Sequence, residues 1–489
     1  MAHLNHSSVL KRLFIPVSGQ SLAVFRMFFG LVMLWEVQRY FQRGWINRYW
    51  VEPEFNFKYE WFEWVQPLSA DGMAALFVLL GLLSVSIAVG FMYRLSTVLF
   101  FLIFTYTFLL EQARYLNHFY LVILISFIMI VIPAHRVWSV DSVLFKSKNP
   151  GWVPKWSVLL VQLQLGVAYF FGGVAKMNAD WLTGSPLNAW LPRRADFPLL
   201  GPYFEEEWAA LFFSYSGLAL DLAALPLLMY RRTRPYVMIG LILFHFMNDR
   251  LFTIGIFPWF MVAAMVIYFP PSWPGQFFRF MMREKPATRL AVILCGFLGV
   301  ATATWFHEGF GYVPIAASFI VFMLVIWDFY ESPRQEKDRT FLISRPVVQP
   351  LVLAGLSVWM LTQVLLPMRH VVIPGNPSWT EEGHRFAWHM KLRSKSCQQQ
   401  FYLENYDGSH IEIQGMPFLQ NWQRRKVASR PQLVEQYAKF ISSLHDNQPV
   451  YADIRCSLNG GPYRQLISPE TDLTQVRFRD SRPNDWIHR

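Results

Sequence analysis

Mainly apolar stretches recur along this chain, at 22–35, 73–92, 97–110, 119–132, 158–174, 208–229, 236–246, 252–269, 290–305, 313–327 and 348–366. Runs of about 17 to 25 such residues are what it takes to cross the hydrocarbon core of a bilayer as helices, with every backbone N–H and C=O paired internally. Several runs are shorter than that, and 236–246 with 252–269 reads equally as a hairpin or as one broken helix. The expectation is a polytopic α-helical membrane bundle of about nine to eleven spans. Composition agrees, since 489 residues that are 54% hydrophobic and only 16% charged are too apolar for a soluble core.

The formal charge of +11 does not point to nucleic acid. Its basic residues punctuate the apolar runs, as in "RRTR", "RFMMREK" and "HRVWSVDSVLFKSK", where they anchor loops. The loop after the first run, "VEPEFNFKYEWFEW", is acid-rich, whereas those containing Lys146, Arg231, Arg283 and Arg339 are basic. Placing the basic loops inside gives a cytoplasmic N-terminus and, for an odd number of spans, an outer C-terminal part. The N-terminal segment has no secretory cleavage pattern and is expected to stay attached.

Residues 1–367 are expected to form the transmembrane domain, the one that would carry any catalytic site, and 368–489 a small extracytoplasmic α+β or β-rich domain. In the latter, "CQQQFYLENYDGSHIEIQG" has strand-like runs around an Asp-Gly turn, and "PQLVEQYAKFISSLH" has apolar residues at helical spacing. The cysteines are Cys295, Cys397 and Cys456, which spell out neither a disulfide framework nor a metal cluster, so no metal is expected.

Ionisable side chains at membrane depth cost at least about 2.5 to 3.5 kcal/mol each on insertion scales, so each is a functional hypothesis by default. Lys176 ends its run, just behind the paired Gly172 and Gly173; Asn117 and His118 open another; His245 and Asn248, three apart, share a helix face near the end of a third. In the topology above, all lie in the leaflet facing the outer domain. Each also has a structural reading. Lys176 would snorkel to the headgroups, His118 would be a core histidine, and Asn117 and Asn248 would cap or finish helices. The glycine pair weighs against simple snorkelling, because adjacent glycines mark close approach by a neighbour or ligand. Arg26 is read as structural, paired with Glu36 or Glu111. A lysine in a dry site is driven toward the free amine, a usable base or nucleophile for a weakly acidic hydroxyl such as a hydroquinone phenol.

At these residues the chain resembles the vitamin K-dependent γ-glutamyl carboxylase family, through "SLAVFRMFFGLVMLWE", "GFMYRLSTVLF", "NHFYL", "HRVWSVDSVL", "YFFGGVAKMNADW", "FHFMNDRLFTIGIF" and "PSWP", in order. The resemblance implies a membrane enzyme that couples oxidation of vitamin K hydroquinone by O2, giving the epoxide, to replacement of a glutamate γ-proton by CO2. It implies Lys176 as the base that deprotonates the hydroquinone and His118 as support for charged intermediates. Asn117, Gly172, Gly173, His245 and Asn248 are carried over as the quinone and substrate pocket, and Trp388 and Met390 as glutamate-binding residues. The implied partners are a glutamate-containing exported peptide and membrane lipid, with no nucleic acid. Two departures stand out. No cysteine precedes Cys295, so the animal bridge between membrane and lumenal parts cannot form, while Cys397 and Cys456 remain able to pair within the tail. The family's Tyr-Ser-Trp-x-Met pattern here reads "FAWHM", so Phe386 and Ala387 replace two hydroxyl residues. The Asn-x-Ser/Thr triplet falls at Asn5, on the expected cytoplasmic side, which suits a bacterial homologue in the inner membrane; a eukaryotic one would sit in the endoplasmic reticulum. The rival readings are a hydroquinone epoxidase without carboxylation and a membrane transporter, the latter disfavoured because the polar groups crowd one leaflet.

Overall fold

The computed structural model describes residues 11–145, 151–197, 199–252, 254–283 and 348–489. The expected spans at 290–305 and 313–327, with Cys295, Lys146 and Arg339, lie outside the described residues. Each remaining apolar run meets a helix: α1 (Gln20–Gln42), α2 (Ala70–Val89), α3 (Tyr93–Leu109), α4 (Asn117–Val131), α5 (Lys155–Lys176), α6 (Glu207–Met229), α7 (Arg234–Phe252), α8 (Phe257–Ala264, prolonged by a tight turn Met265–Tyr268), and, after α9 (Trp273–Arg283), α10 (Gln349–Met368). Among the described residues five helices are long and apolar enough to cross a bilayer: α1, α2, α5, α6 and α10 with its extension to Val371. The ambiguous 236–269 region is two helices, α7 and α8, joined by a short turn at Gly255, whose φ of 79° is easy only for glycine.

Local chemistry fixes where these helices begin and end. Ser69 caps α2 by accepting from the Gly72 amide, and Gly90, at φ 67°, ends it. Both oxygens of Asp141 accept amides at the start of α3, from Met92 and Tyr93, each at 2.8 Å. An acidic group is favourable there, where orphan N–H groups converge. Arg26 comes to this same end of the bundle and donates to the Trp138 carbonyl at 2.5 Å. The expected carboxylate pairing of Arg26 is therefore corrected: Glu36 pairs with Arg39 one turn along α1, and Glu111 lies in the connection between α3 and α4.

Helix α5 is the axis of the bundle. It is buried along most of its length, and α6 packs against it closely because Gly166 and Gly173 have no side chain where Leu225 and Leu222 press in. Small residues that let backbones approach are the usual means of helix association in lipid. Helix α10 is tied to α5 by polar contacts, Gln164 to Gln363 at 3.1 Å and Trp359 Nε1 to Gln164 at 2.9 Å.

The C-terminal domain is a four-stranded antiparallel sheet in the order β4-β3-β5-β6, preceded in the chain by a two-stranded ribbon of β1 (Pro16–Ser18) and β2 (Trp152–Pro154). Strands β3 (Lys395–Glu404) and β4 (His410–Ile413) form the hairpin expected around Asp407-Gly408, with Glu404 opposite His410. Strands β5 (Val450–Leu458) and β6 (Arg464–Ile467) complete the sheet. Cys397 faces Cys456 across β3 and β5, and the two form a disulfide. Between β4 and β5 come α11 (Asn421–Val427) and α12 (Pro431–Leu444). The apolar spacing of α12 buries Leu433, Val434, Tyr437, Ala438 and Ile441 as one stripe.

The domain sits directly on the bundle. Gln436 exchanges hydrogen bonds with the Lys58 backbone at 2.7 and 2.9 Å, and Asn459 donates to Asp180 at 2.8 Å. Gln423 reaches Glu111, which also accepts from Asn56 and from the Ala113 amide. Burial in this junction pushes the Glu111 carboxyl up to about 7.

Candidate active site

Lys176 is the last residue of α5, yet its ammonium does not reach for the headgroups. Its Nζ lies 2.6 Å from Asp221 Oδ2 in the middle of α6 and 3.2 Å from the Gly172 carbonyl, and both side chains of the ion pair are about 5% exposed or little more, at 7% and 5%. The pair stands at the wall of a cavity of about 410 Å³. That is within the range of small-molecule sites. The wall is otherwise mostly leucine, phenylalanine and methionine, with Tyr169, His245 and Asn248 as further polar members.

Tyr169 and His245 are hydrogen-bonded to each other, hydroxyl to Nε2, at 2.7 Å. His245 and Asn248 both line the cavity, as their shared helix face requires. Between α6 and α7 the cavity lining includes Phe212 and Leu243, which are 59% and 49% exposed. The cavity therefore opens to the surface between these two helices.

The two glycines play different parts. A Cβ on Gly172 would lie 3.2 Å from Met390 Cε and 3.4 Å from Asp221 Oδ2, so its bare backbone makes room for the ion pair and for a side chain sent down by the outer domain. Gly173 instead faces Leu222 of α6, with the Leu222 amide nitrogen 3.0 Å away, and serves packing.

His118 and Asn117 stand apart from the cavity. The ring of His118 is 5.9 Å from that of Phe257, and Phe257 is in turn 5.7 Å from His245, so one phenylalanine separates His118 from the lined space. Asn117 donates to the His389 carbonyl at 2.9 Å and accepts from the Tyr115 hydroxyl, fastening the start of α4 to the outer domain. Of the two expected glutamate-binding residues, Met390 lines the cavity, whereas Trp388 is buried with its ring 5.2 Å from Tyr120. Trp388 therefore belongs to the support of the segment. Backbone geometry explains the split: Phe386, Trp388 and Lys391 adopt positive φ of 58°, 60° and 53°, so the segment coils and sends neighbouring side chains different ways. Such left-handed residues persist only where surroundings hold them, commonly at functional sites.

Asp221, Tyr169 and Lys391 are cavity residues that the sequence reading does not single out. For Asp221 a signal existed, an acid within the apolar run "FFSYSGLALDLAALPLLM". Tyr169 looks like any aromatic of a span, and Lys391 like any surface lysine.

Compared with known families, the HTTM domain matches residues 14–273 and the lumenal domain of vitamin K-dependent gamma-carboxylase matches residues 348–489. No solved structure matches the chain.

Proposed function

The chain belongs to the vitamin K-dependent gamma-carboxylase family, and from that premise we propose that it couples vitamin K hydroquinone epoxidation by O2 to carboxylation of peptide glutamate by CO2. The observation that carries this reading is the buried Lys176–Asp221 pair at the wall of an apolar cavity that opens between α6 and α7. A hydroquinone on a hydrocarbon tail fits such a space. Its rings match the phenylalanine and leucine lining, its tail matches the opening between α6 and α7, and its hydroxyl finds the Lys176–Asp221 pair. When bound, vitamin K hydroquinone supplies the reducing power whose oxidation by O2 drives removal of the glutamate γ-proton, CO2 then taking that place.

The chain's own residues prepare the hydroxyl. Its proton passes to the Asp221 carboxylate, and the Lys176 ammonium stays beside the oxygen that gave the proton up. The anion is exchanged, from Asp221 to the substrate oxygen, while the cation remains. No net charge is created in a dry site, whereas a lone amine taking the same proton would create two opposite charges where none stood. Lys176 is thus the electrostatic partner and Asp221 the proton acceptor. The Gly172 carbonyl fixes the ammonium, and the Tyr169–His245 pair lines the same space as a second polar group. The surrounding apolar wall keeps water from quenching a carbanion. His118 and Asn117, outside the lining, act through position: His118 against Phe257, Asn117 through the His389 carbonyl.

One observation favours a second reading, quinol oxidation without carboxylation. Phe386 and Ala387, which replace hydroxyl residues of the family pattern, are packed inward, with Phe386 against Tyr115 and Tyr120. A single experiment separates the two. Purified protein receives vitamin K hydroquinone, O2 and labelled bicarbonate, with and without a glutamate-containing peptide. Epoxide with peptide-bound label supports the carboxylase, epoxide without label supports the epoxidase, and absence of quinol turnover refutes both.

A further inference from the structure

Apart from Lys176, the cavity lining has one other cation among the described residues, Lys391, and it comes from the outer domain. Lys391 follows Met390, whose methyl lies against Gly172, so the outer domain contributes to the cavity lining an apolar side chain and, next in sequence, a charged one. The Lys391 ammonium is 5.9 Å from the Trp190 ring and 5.7 Å from the Phe252 ring, and its hydrogen bond, to the Phe252 carbonyl, is long at 3.4 Å. Among the described residues no carboxylate forms an ion pair with it. An ammonium has three donors, so one long bond leaves it able to take an anion. Lys176, by contrast, is already neutralised by Asp221.

We propose that Lys391 is the anchor for the substrate's glutamate carboxylate, holding a side chain that descends from the outer face so that its γ-carbon enters the cavity near Lys176 and Asp221. The proposal rests on the carboxylase reading. A carboxylate brought into an apolar space needs an opposite charge and a donor, and Lys391 supplies both at the side from which a peptide would come. Lys391 is an exposed residue at the rim of the cavity, open to an anion arriving from outside. The left-handed backbone at Lys391 is part of the coiled segment that aims it, and it accounts for recognition in a chain whose Phe386 and Ala387 carry no hydroxyl.

The test uses the full chain in detergent and two fluorescent short peptides, identical except that one carries glutamate and the other glutamine at a single central position. Binding of each is measured by anisotropy to wild type, Lys391→Gln and Lys391→Arg, with thermal midpoints recorded alongside. Wild type is expected to bind the glutamate peptide about tenfold or more tighter than its twin, in line with charge-assisted hydrogen bonding. In Lys391→Gln that ratio should fall to near one, and Lys391→Arg should restore most of it. A merely structural role would weaken both peptides alike and leave the ratio standing, which overturns the proposal. Wild type that oxidises the quinol yet shows no preference between the peptides overturns the carboxylase reading along with it, whereas a wild-type preference surviving in Lys391→Gln overturns the anchor alone.

Discussion

Asp221→Asn is the sharpest perturbation of the site, because it preserves side-chain shape and removes only the charge and the ability to hold a proton. The carboxylate oxygen is 2.6 Å from Lys176 Nζ, and both side chains are almost fully buried, so solvent does little to screen the pair. Removing one partner from a buried pair costs about 3 to 5 kcal/mol of stability, which a thermal midpoint reads separately from turnover. A positioned proton acceptor contributes about 10²- to 10⁴-fold in rate, so the expected loss of quinol oxidation is of that size, about 3 to 5 kcal/mol of barrier at 1.36 kcal/mol per factor of ten. The assay follows epoxide formation chromatographically at pH 7 without peptide, at quinol concentrations that separate kcat from KM. The fall should appear mainly in kcat, since the cavity walls are untouched. A variant as fast as wild type, or faster, would refute the proton transfer to Asp221 and restore the alternative of Lys176 acting alone as a free amine.

Other outcomes follow from the same geometry. Lys176→Ala should abolish epoxide formation at neutral pH, with partial rescue by small amines that enter the vacated space; unrescued or undiminished activity counts against its role. Gly172→Ala and Gly173→Ala should differ: the Gly173 methyl meets Leu222 Cδ2 at 2.8 Å and its backbone nitrogen at 3.0 Å, so thermal stability falls by about 1 to 3 kcal/mol, whereas the Gly172 methyl meets the mobile end of Met390 and the Asp221 oxygen, so turnover suffers more than stability. Equal effects in a melting assay would contradict this division. Glu111 has a folded pKa of about 7 against an ordinary 4.5, so the folded state binds the extra proton. Its contribution is complete at low pH and is lost as pH rises through about 7, a span worth about 3 kcal/mol. Melting curves from pH 4.5 to 8 should show that decline in wild type, and Glu111→Gln should flatten it.

Much of the architecture is legible in the sequence because length and apolarity fix spans, Asp407-Gly408 fixes a hairpin, and the stripe on α12 fixes a buried face. Lys176, His245, Asn248 and Met390 line one cavity, and Gly172 lies beside it against Met390 and Asp221. His118 does not join them, since sharing a leaflet sets depth but not lateral distance, and Phe257 occupies the intervening space. Asp221 and Lys176 are 45 residues apart in sequence and meet only because glycines bring α5 and α6 together, a consequence of packing that no local pattern carries. Trp388 and Met390 look equivalent in "FAWHM", and left-handed turns at Phe386 and Trp388 send one inward and the other to the cavity.

The seam between α6 and α7, where Phe212 and Leu243 border the cavity, changes what a Michaelis constant means for this protein. A lipophilic reactant that arrives sideways is sampled as molecules per lipid, not as moles per litre of buffer. Adding more micelles or vesicles at fixed total quinol would dilute it and slow turnover, even though nothing in the aqueous phase had changed.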